Sequence, residues 1–470
     1  MNNSTTTTTK LLPFREYETS IRLPISETIY QHIYNSMVNE EDKNDIILYF
    51  EDDKRISNNK CQYKHINTKK CLMKILYYND RVYFIPYVRK SSDEYLVALP
   101  EVFSVNSIII RHVIFEGIIQ EDFKMRIALE KCTTNKMGLV YSLTAEVEYS
   151  QMAFVYYRNS TAVEEAFFNE LINRVFIHLE DMDTSTLFKV PDSTTIIDVA
   201  SRVFKHLNSS YTPSKSEAIV FKYDGFKGKI VMTANGLSYY DSLHNKYTGN
   251  CFALNDFRNI FFQVEVLEDN FICLVDILGG YTSNVTTNEM QHIPKPLEVM
   301  KFFDWMRDYL FTQYGLSEPY QLELDSVPVQ QFKLFLQKPI NPEALPVCNH
   351  RHDGYIIIES DKLFKCKIPT IDIVFVNGYM EVSDRVGSIC NEYYPKYDND
   401  SKKIYEVCQK ATGTGYNVLR ERFDRSVPST NEQFEAFEKE LKFLRTAISA
   451  STDKKLLKLI ENMGKSIKIN

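Results

Sequence analysis

Glu16-Tyr17-Glu18-Thr19-Ser20-Ile21-Arg22 alternates with a period of two: Glu16, Glu18, Ser20 and Arg22 fall on one face of an extended strand, and Tyr17, Thr19 and Ile21 on the other. The split recurs twice. Lys124, Arg126 and Glu130 share a face opposite Met125, Ile127 and Leu129, and Glu146 and Glu148 share one opposite Ala145, Val147 and Tyr149. A strand facing a polar interior must carry charge at every second position. From Glu16 to about Ser150 the chain therefore predicts antiparallel β-structure with one charged face and few long helices.

Downstream, Thr161 to Leu179 is expected to be helical, and Val199 to Leu207 has apolar residues at helical spacing. Polar Asn208 to Glu217 is expected to be a linker. Strands return from Ala218, and Asn235-Gly236 between Lys229–Met232 and Leu237–Tyr240 signals a hairpin. A helix is expected over Pro296–Tyr314, and one or two amphipathic helices over Asn431–Met463. There is no internal repeat.

A chain of 470 residues suits two or three domains, each able to bury its own core. With 44% hydrophobic and 25% charged residues it has the balance of a folded soluble protein. No apolar run nears the ~20 residues that span a bilayer, so no membrane segment is expected. Met1 to Thr9 lacks the features of a secretory signal and is read as a disordered leader. Nine scattered cysteines, an odd number with no Cys-x-x-Cys pair, fit free thiols in a reducing, intracellular compartment. Cys348, His350 and His352 are the densest possible ligand group, but a fourth zinc ligand at suitable spacing is lacking. The formal charge of -7 gives no global attraction to nucleic acid, so an RNA ligand would need a local basic channel.

Phe221-Lys222-Tyr223-Asp224-Gly225-Phe226-Lys227 resembles the first motif, Lys-x-Asp-Gly-x-Arg, of the covalent nucleotidyltransferases: mRNA guanylyltransferases and ATP- or NAD-dependent ligases. Taken alone it reads as a turn with a surface lysine. Its place at the head of an ordered set of motifs carries the resemblance. Glu265 in Val264-Glu265-Val266 resembles the third motif, and Leu274 to Leu278, with Asp276, resembles the strand after it. Asp353-Gly354-Tyr355-Ile356-Ile357 resembles the fourth, and Phe364-Lys365-Cys366-Lys367 with Thr370-Ile371-Asp372 the fifth. Arg420-Glu421-Arg422-Phe423-Asp424-Arg425 resembles the capping-type sixth, Arg-x-Asp-Lys.

The resemblance implies that Lys222 accepts GMP from GTP. A lysine attacks phosphorus only as the neutral amine, and neighbouring cations or a metal favour that form. It further implies nucleotide contacts from Asp224, Gly225, Lys227, Glu265, Lys365, Lys367, Arg422, Asp424 and Arg425, with Asp353 helping to hold a metal. Lys227 stands where the family has arginine, and Arg425 where it has lysine; charge is kept but hydrogen-bond geometry changes. Lys-Tyr-Asp-Gly is the commoner spelling in ligases, so an AMP-using polynucleotide ligase is the first alternative. A structural polymerase subunit with decayed sites is the second.

Glu16-x-Glu18 and Glu146-x-Glu148 resemble the paired glutamate motifs of metal-dependent tunnel RNA triphosphatases. That resemblance implies an eight-stranded barrel in which Glu16, Glu18, Glu146 and Glu148 hold Mg2+ or Mn2+ and Lys124 and Arg126 hold the RNA 5′ triphosphate. The plainer reading of each pair is a solvated strand face. Over nearly the whole chain the sequence resembles late expression factor four of baculoviruses and nudiviruses, a fused triphosphatase and guanylyltransferase. This resemblance implies a subunit of a viral multisubunit RNA polymerase acting in the host nucleus.

The expected architecture is α+β and multidomain. It comprises a leader (1–10), an antiparallel barrel or tunnel domain (11–185), a nucleotidyltransferase α/β domain (186–368), and an oligonucleotide-binding-fold lid with C-terminal helices (369–470).

Overall fold

The computed structural model describes residues 14–37, 45–51, 54–57, 60–78, 81–97, 105–119, 123–134, 138–149, 162–179, 202, 204–206, 218–233, 236–257, 260–280, 293–326, 328–341, 346, 348–359, 362–367, 369–397, 403–410, 415–423 and 425–450. The first half holds β1 (Phe14–Ile25), α1 (Glu27–Met37), β2 (Asp45–Glu51), β3 (Lys54–Ser57), β4 (Lys60–Tyr78), β5 (Arg81–Val97), β6 (Ser107–Ile119), β7 (Phe123–Thr134), β8 (Gly138–Tyr149) and α2 (Ala162–Arg174). The eight strands pair in the order β4-β3-β2-β6-β7-β8-β1-β5, and β5 returns to β4. They form a closed antiparallel barrel: the alternation predicted the antiparallel strands, and the resemblance to tunnel triphosphatases implied the closure.

This barrel is polar inside and apolar outside. Met125, Ile127 and Leu129 of β7 and Leu143, Ala145 and Val147 of β8 are buried on its outer face. There they pack with Ile29 and Ile33 of α1 and Phe167, Phe168 and Leu171 of α2. Each large side chain so buried contributes about 1.5–3 kcal/mol. The sequence reading missed α1. Ser26 opens that helix, its Oγ accepting the Ile29 N–H at 3.2 Å. The signal was Ser26-Glu27 followed by Ile29, Tyr30 and Ile33 at helical spacing.

The second half continues with β9 (Lys205–His206), β10 (Ala218–Tyr223), β11 (Phe226–Thr233), β12 (Gly236–Tyr240), β13 (Lys246–Asn250), β14 (Ile260–Val266), β15 (Phe271–Gly280), β16 (Ile293–Pro294), α3 (Pro296–Tyr314), β17 (Tyr320–Leu324), β18 (Gln330–Leu336), β19 (His352–Glu359) and β20 (Lys362–Cys366). Strands β11, β12, β13, β17, β18, β15 and β14 close a second barrel, and β10, β19, β20 and β9 form a small sheet. β11 and β12 form the expected hairpin, with Thr233 opposite Gly236. The helix over Pro296–Tyr314 is as predicted.

The helical reading of Val199–Leu207 is corrected at Lys205–His206; residues 199–201, Val203 and Leu207 lie outside the described residues. Lys205–His206 is a strand parallel to β20, pairing with Phe364 and Lys365. A short apolar run does not separate the two periods, and here pairing with β20 decides. The expected linker, Asn208–Glu217, lies outside the described residues.

The two halves share a core. β4 and β5 extend beyond the barrel, so that Ile75 is buried in the second core, Phe84 meets Phe302 at 5.3 Å and Tyr77 meets Trp305 at 5.5 Å. β16 pairs in parallel with β4. Lys74 reaches Glu298 at 2.5 Å, and Glu164, 2% exposed, lies between Arg89 and Lys295.

Last come β21 (Ile371–Val376), β22 (Tyr379–Glu381), β23 (Ile404–Gln409), β24 (Tyr416–Glu421) and α4 (Asn431–Ala450). The strands make an antiparallel sheet ordered β22-β21-β23-β24, against which Phe434 and Phe437 of α4 pack. Among the described residues no helix is long and apolar enough to cross a membrane.

Candidate active sites

Lys222 lies at a backbone irregularity. Phe221 pairs with Tyr355, but Tyr223 pairs with His352, so β19 carries an extra residue around Asp353 and Gly354. Such a bulge re-aims the side chains beside it. Lys222 Nζ donates to Asp353 Oδ1 at 2.5 Å, and Lys367 Nζ approaches Asp353 Oδ2 at 3.4 Å. Gly354 has φ +134, and a Cβ there would strike the Cys366 carbonyl oxygen, so only glycine fits.

The turn after Lys222 is fixed by Glu265 on β14. Its Oε1 accepts the Gly225 N–H at 3.1 Å. A Cβ on Gly225 would collide with the Val266 carbonyl oxygen, so the Asp224-Gly225 turn can lie on β14 only as glycine. Burial raises the Glu265 carboxyl, partly offset by the Gly225 N–H, Lys222 and Lys227.

A cavity of about 150 Å³ opens beside these groups, lined by Lys222, Lys227, Glu265 and Lys365 on its charged side. Lys365 lies over the Phe204 ring at 5.1 Å. Burial lowers its pKa, as do the charges of Lys222, Lys367 and Lys227. Lys222, Lys227 and Lys365 line the cavity with Glu265 and Asp276, and Asp353 and Lys367 adjoin Lys222; the lysine cluster makes a place for an anion with several negative oxygens. The expected residues Lys222, Lys227, Glu265, Asp353, Lys365 and Lys367 thus come together.

The sixth-motif stretch behaves differently from its expectation. Arg420, quoted in that motif but given no role, reaches Asp224 with Nη1 at 3.3 Å and Nη2 at 3.4 Å, while its Nε bonds Glu406 at 2.7 Å. Arg351 also bonds Asp224, at 2.9 Å. Arg422 and Arg425 lie instead against Asp372, at 3.3 and 3.5 Å, and Asp424 is outside the described residues. Thr370 links Lys367, at 3.2 Å, to Glu406, at 2.7 Å. The ring of His350 stacks on Phe335 at 5.0 Å.

Inside the first barrel the charged rows meet by register. Glu18 is opposite Glu148, and Ser20 opposite Glu146; Lys124 is opposite Glu148, and Arg126 opposite Glu146. All four expected glutamates and both expected basic residues therefore share one wall. Lys64 bonds Glu16 and reaches Glu18 at 3.3 Å and Glu94 at 3.4 Å, while Lys90 bonds Glu18 at 2.9 Å. Arg111 bonds Glu130 at 2.6 Å, and Arg126 bonds Glu146 at 2.9 Å. Lys124 pairs with Glu116. Lys64, Lys90 and Arg111 complete a lumen that the alternation showed only in part; Lys64 and Lys90 were missed because β4 and β5 lack strict alternation.

Burial pushes the Glu18 carboxyl up, but Lys90 and Lys64 overcome it and hold it below the usual range. Glu148 goes the other way: burial raises it, as do Glu16, Glu146 and Glu18, against a partial lowering by Arg126. Among the described residues Glu148 makes no ion pair. A carboxylate crowded by three others, and only partly offset by the charge of Arg126, has the donor chemistry a hard divalent ion requires. No three acidic, His or Cys side chains among the described residues close on one point. Lys64 stands between Glu16 and Glu18.

The sequence matches the model of the family Late expression factor 4 (LEF-4) over residues 138–429, more than half of the chain. No curated protein matches. Among solved structures, S. pombe Pct1 RNA triphosphatase in complex with the Spt5 CTD is 12% identical over 35% of this chain and 87% of that chain, with a TM-score of 0.23. A second structure of S. pombe Pct1 RNA triphosphatase is 13% identical over 37% and 87%, with a TM-score of 0.24. The chain belongs to the late expression factor 4 family.

Proposed function

We propose that this chain is a bifunctional mRNA capping enzyme, an RNA 5′-triphosphatase and a GTP:RNA guanylyltransferase that acts through a covalent lysyl-GMP at Lys222. The family supports a role related to capping. What carries the finer reading is the convergence of Lys222, Glu265, Lys365 and Lys227 on one cavity, with Asp353 bonded to Lys222.

In the cavity between the small sheet and the second barrel, Lys222 Nζ attacks the α-phosphorus of GTP. The new N–P bond forms as the bond to the bridging oxygen breaks, and the electron pair leaves on pyrophosphate. Lys365 and Lys367 face the charge that builds on the phosphoryl oxygens. Glu265 positions the sugar, and Arg422 and Arg425, paired with Asp372 in this structure, would engage the departing pyrophosphate only on leaving that carboxylate. An oxygen of the RNA 5′ diphosphate then attacks the same phosphorus and releases Lys222. Asp353 would help to hold Mg2+ or Mn2+.

In the first barrel Glu16, Glu18, Glu146 and Glu148 would hold the divalent ion, which supplies Lewis-acid stabilisation of a phosphoryl group when bound. Arg126 and Lys124 would hold the triphosphate. Terminal phosphate removal there yields the diphosphate end that the second site consumes. From the family we also read the chain as a subunit of a viral RNA polymerase in the infected nucleus.

The test is incubation with labelled GTP or ATP and a divalent metal, followed by a denaturing gel. A band with GTP alone is expected; a band with ATP in its place would support a polynucleotide ligase.

A further inference from the structure

Two buried polar side chains in the cavity beside Lys222 take no part in the phosphate chemistry. Gln263 and Asp276 face each other across the β14–β15 ladder. Both line the cavity, and they are only 5% and 8% exposed. Asp276 is held from behind: Arg202 Nε donates to Oδ2 at 2.6 Å, and the Ile277 N–H donates to Oδ1 at 2.8 Å. Arg202 also donates to the Ile277 carbonyl at 3.3 Å, which fixes the pair's orientation. A carboxylate offers about four acceptor sites, so about two remain. Among the described residues the Gln263 amide has no hydrogen-bond partner. Polar groups this deeply buried are normally paired, and a ligand entering the cavity would meet both side chains.

Apart from Tyr223 and Gln337, whose amide donates to the Phe221 carbonyl at 2.9 Å, the cavity's other walls are apolar, from Met300, Ile356, Ile358 and Leu363. Apolar walls with a few convergent polar groups suit a flat aromatic ligand. Guanine presents N1–H and N2–H2 donors on one edge beside the O6 acceptor, whereas adenine reverses the pattern with an N1 acceptor and an N6–H2 donor.

We propose that Asp276 accepts from guanine N1–H and N2–H2 while Gln263 donates to O6, so that these two residues make the site select GTP. The assignment rests on the guanylyltransferase reading. Arg202 is a positioning residue, acting through Asp276. A site built to hydrogen-bond its ligand rejects an analogue lacking those groups far more strongly than an apolar pocket rejects a size mismatch.

The experiment measures the rate of covalent labelling by GTP, ITP, XTP and ATP with a divalent metal, for the full chain and two variants. ITP lacks the 2-amino group and is expected to label wild type at least tenfold more slowly than GTP. Asp276→Asn places a donor where an acceptor stood. It is expected to lose GTP labelling at least a hundredfold and to gain labelling by XTP, whose C2 oxygen accepts. Gln263→Leu is expected to slow GTP labelling at least tenfold. Equal wild-type rates with GTP and ITP, or an unchanged GTP-to-XTP ratio in folded Asp276→Asn, would overturn the base-reading assignment and leave the Lys222 chemistry standing. If Asp276→Asn does not fold, the wild-type ITP comparison decides. No label from any nucleotide in wild type would remove the guanylyltransferase reading and this assignment with it.

Discussion

Arg420, near the end of β24, lies 3.3 Å from Asp224, two residues beyond Lys222. The pairing ties the C-terminal sheet to the turn that carries the proposed nucleophile. Because Arg420 also holds Glu406 at 2.7 Å, and Glu406 accepts from Thr370, which Lys367 reaches, one hydrogen-bonded chain joins the first, fifth and sixth motifs.

Arg420→Ala is therefore expected to slow GMP labelling more than tenfold, a barrier rise above about 1.4 kcal/mol. Phosphate release by the other barrel should be unaffected. Measuring both activities on one preparation checks this; an unchanged labelling rate would make the contact merely structural.

Lys365→Ala and Lys367→Ala are each expected to lower the rate of covalent intermediate formation about a hundredfold, because both cations face the developing phosphoryl charge. Single-turnover labelling measures it. A change within about twofold, or roughly 0.4 kcal/mol, would remove the assignment.

Each of Glu16→Ala, Glu18→Ala, Glu146→Ala and Glu148→Ala is expected to reduce release of the γ-phosphate from triphosphate-ended RNA more than tenfold while leaving GMP labelling intact, since removing a carboxylate deletes a ligand and part of the charge that holds the ion. Wild-type hydrolysis by all four would sink the triphosphatase reading.

Glu148 gives a prediction about pH. Its carboxyl is raised in the folded chain by burial and by Glu16, Glu146 and Glu18. A raised group favours the folded state below its unfolded pKa and loses that contribution as pH rises through the folded value. Without a metal, Glu148→Gln should therefore raise the Tm at pH 7, and the gain should vanish below about pH 4, where the unfolded carboxyl is also protonated. Equal Tm differences at the two pH values would contradict it.

The barrel was legible because Glu16 to Arg22, Lys124 to Glu130 and Glu146 to Glu148 alternate strictly, and a lumen imposes that period. Lys64 and Lys90 were not, because β4 and β5 serve the lumen over one stretch and the second core, through Ile75 and Phe84, over another. The nucleotide cavity was legible where a motif requires a particular backbone, as Gly225 and Gly354 do. Arg202 and Phe204 were hidden because pairing of Lys205–His206 with β20, a contact far along the chain, overrides the local helical spacing. Likewise, spacing within Arg420 to Arg425 does not tell which arginine crosses to Asp224; only the fold does.

Covalent catalysis at Lys222 is decided by locating the adduct. After incubation with GTP and a divalent metal, peptide mass spectrometry should find the mass of one GMP residue on the peptide containing Lys222, acid-labile as a phosphoramidate is, and absent in Lys222→Ala. An adduct on another residue, or one that persists in Lys222→Ala, would refute Lys222 as the nucleophile.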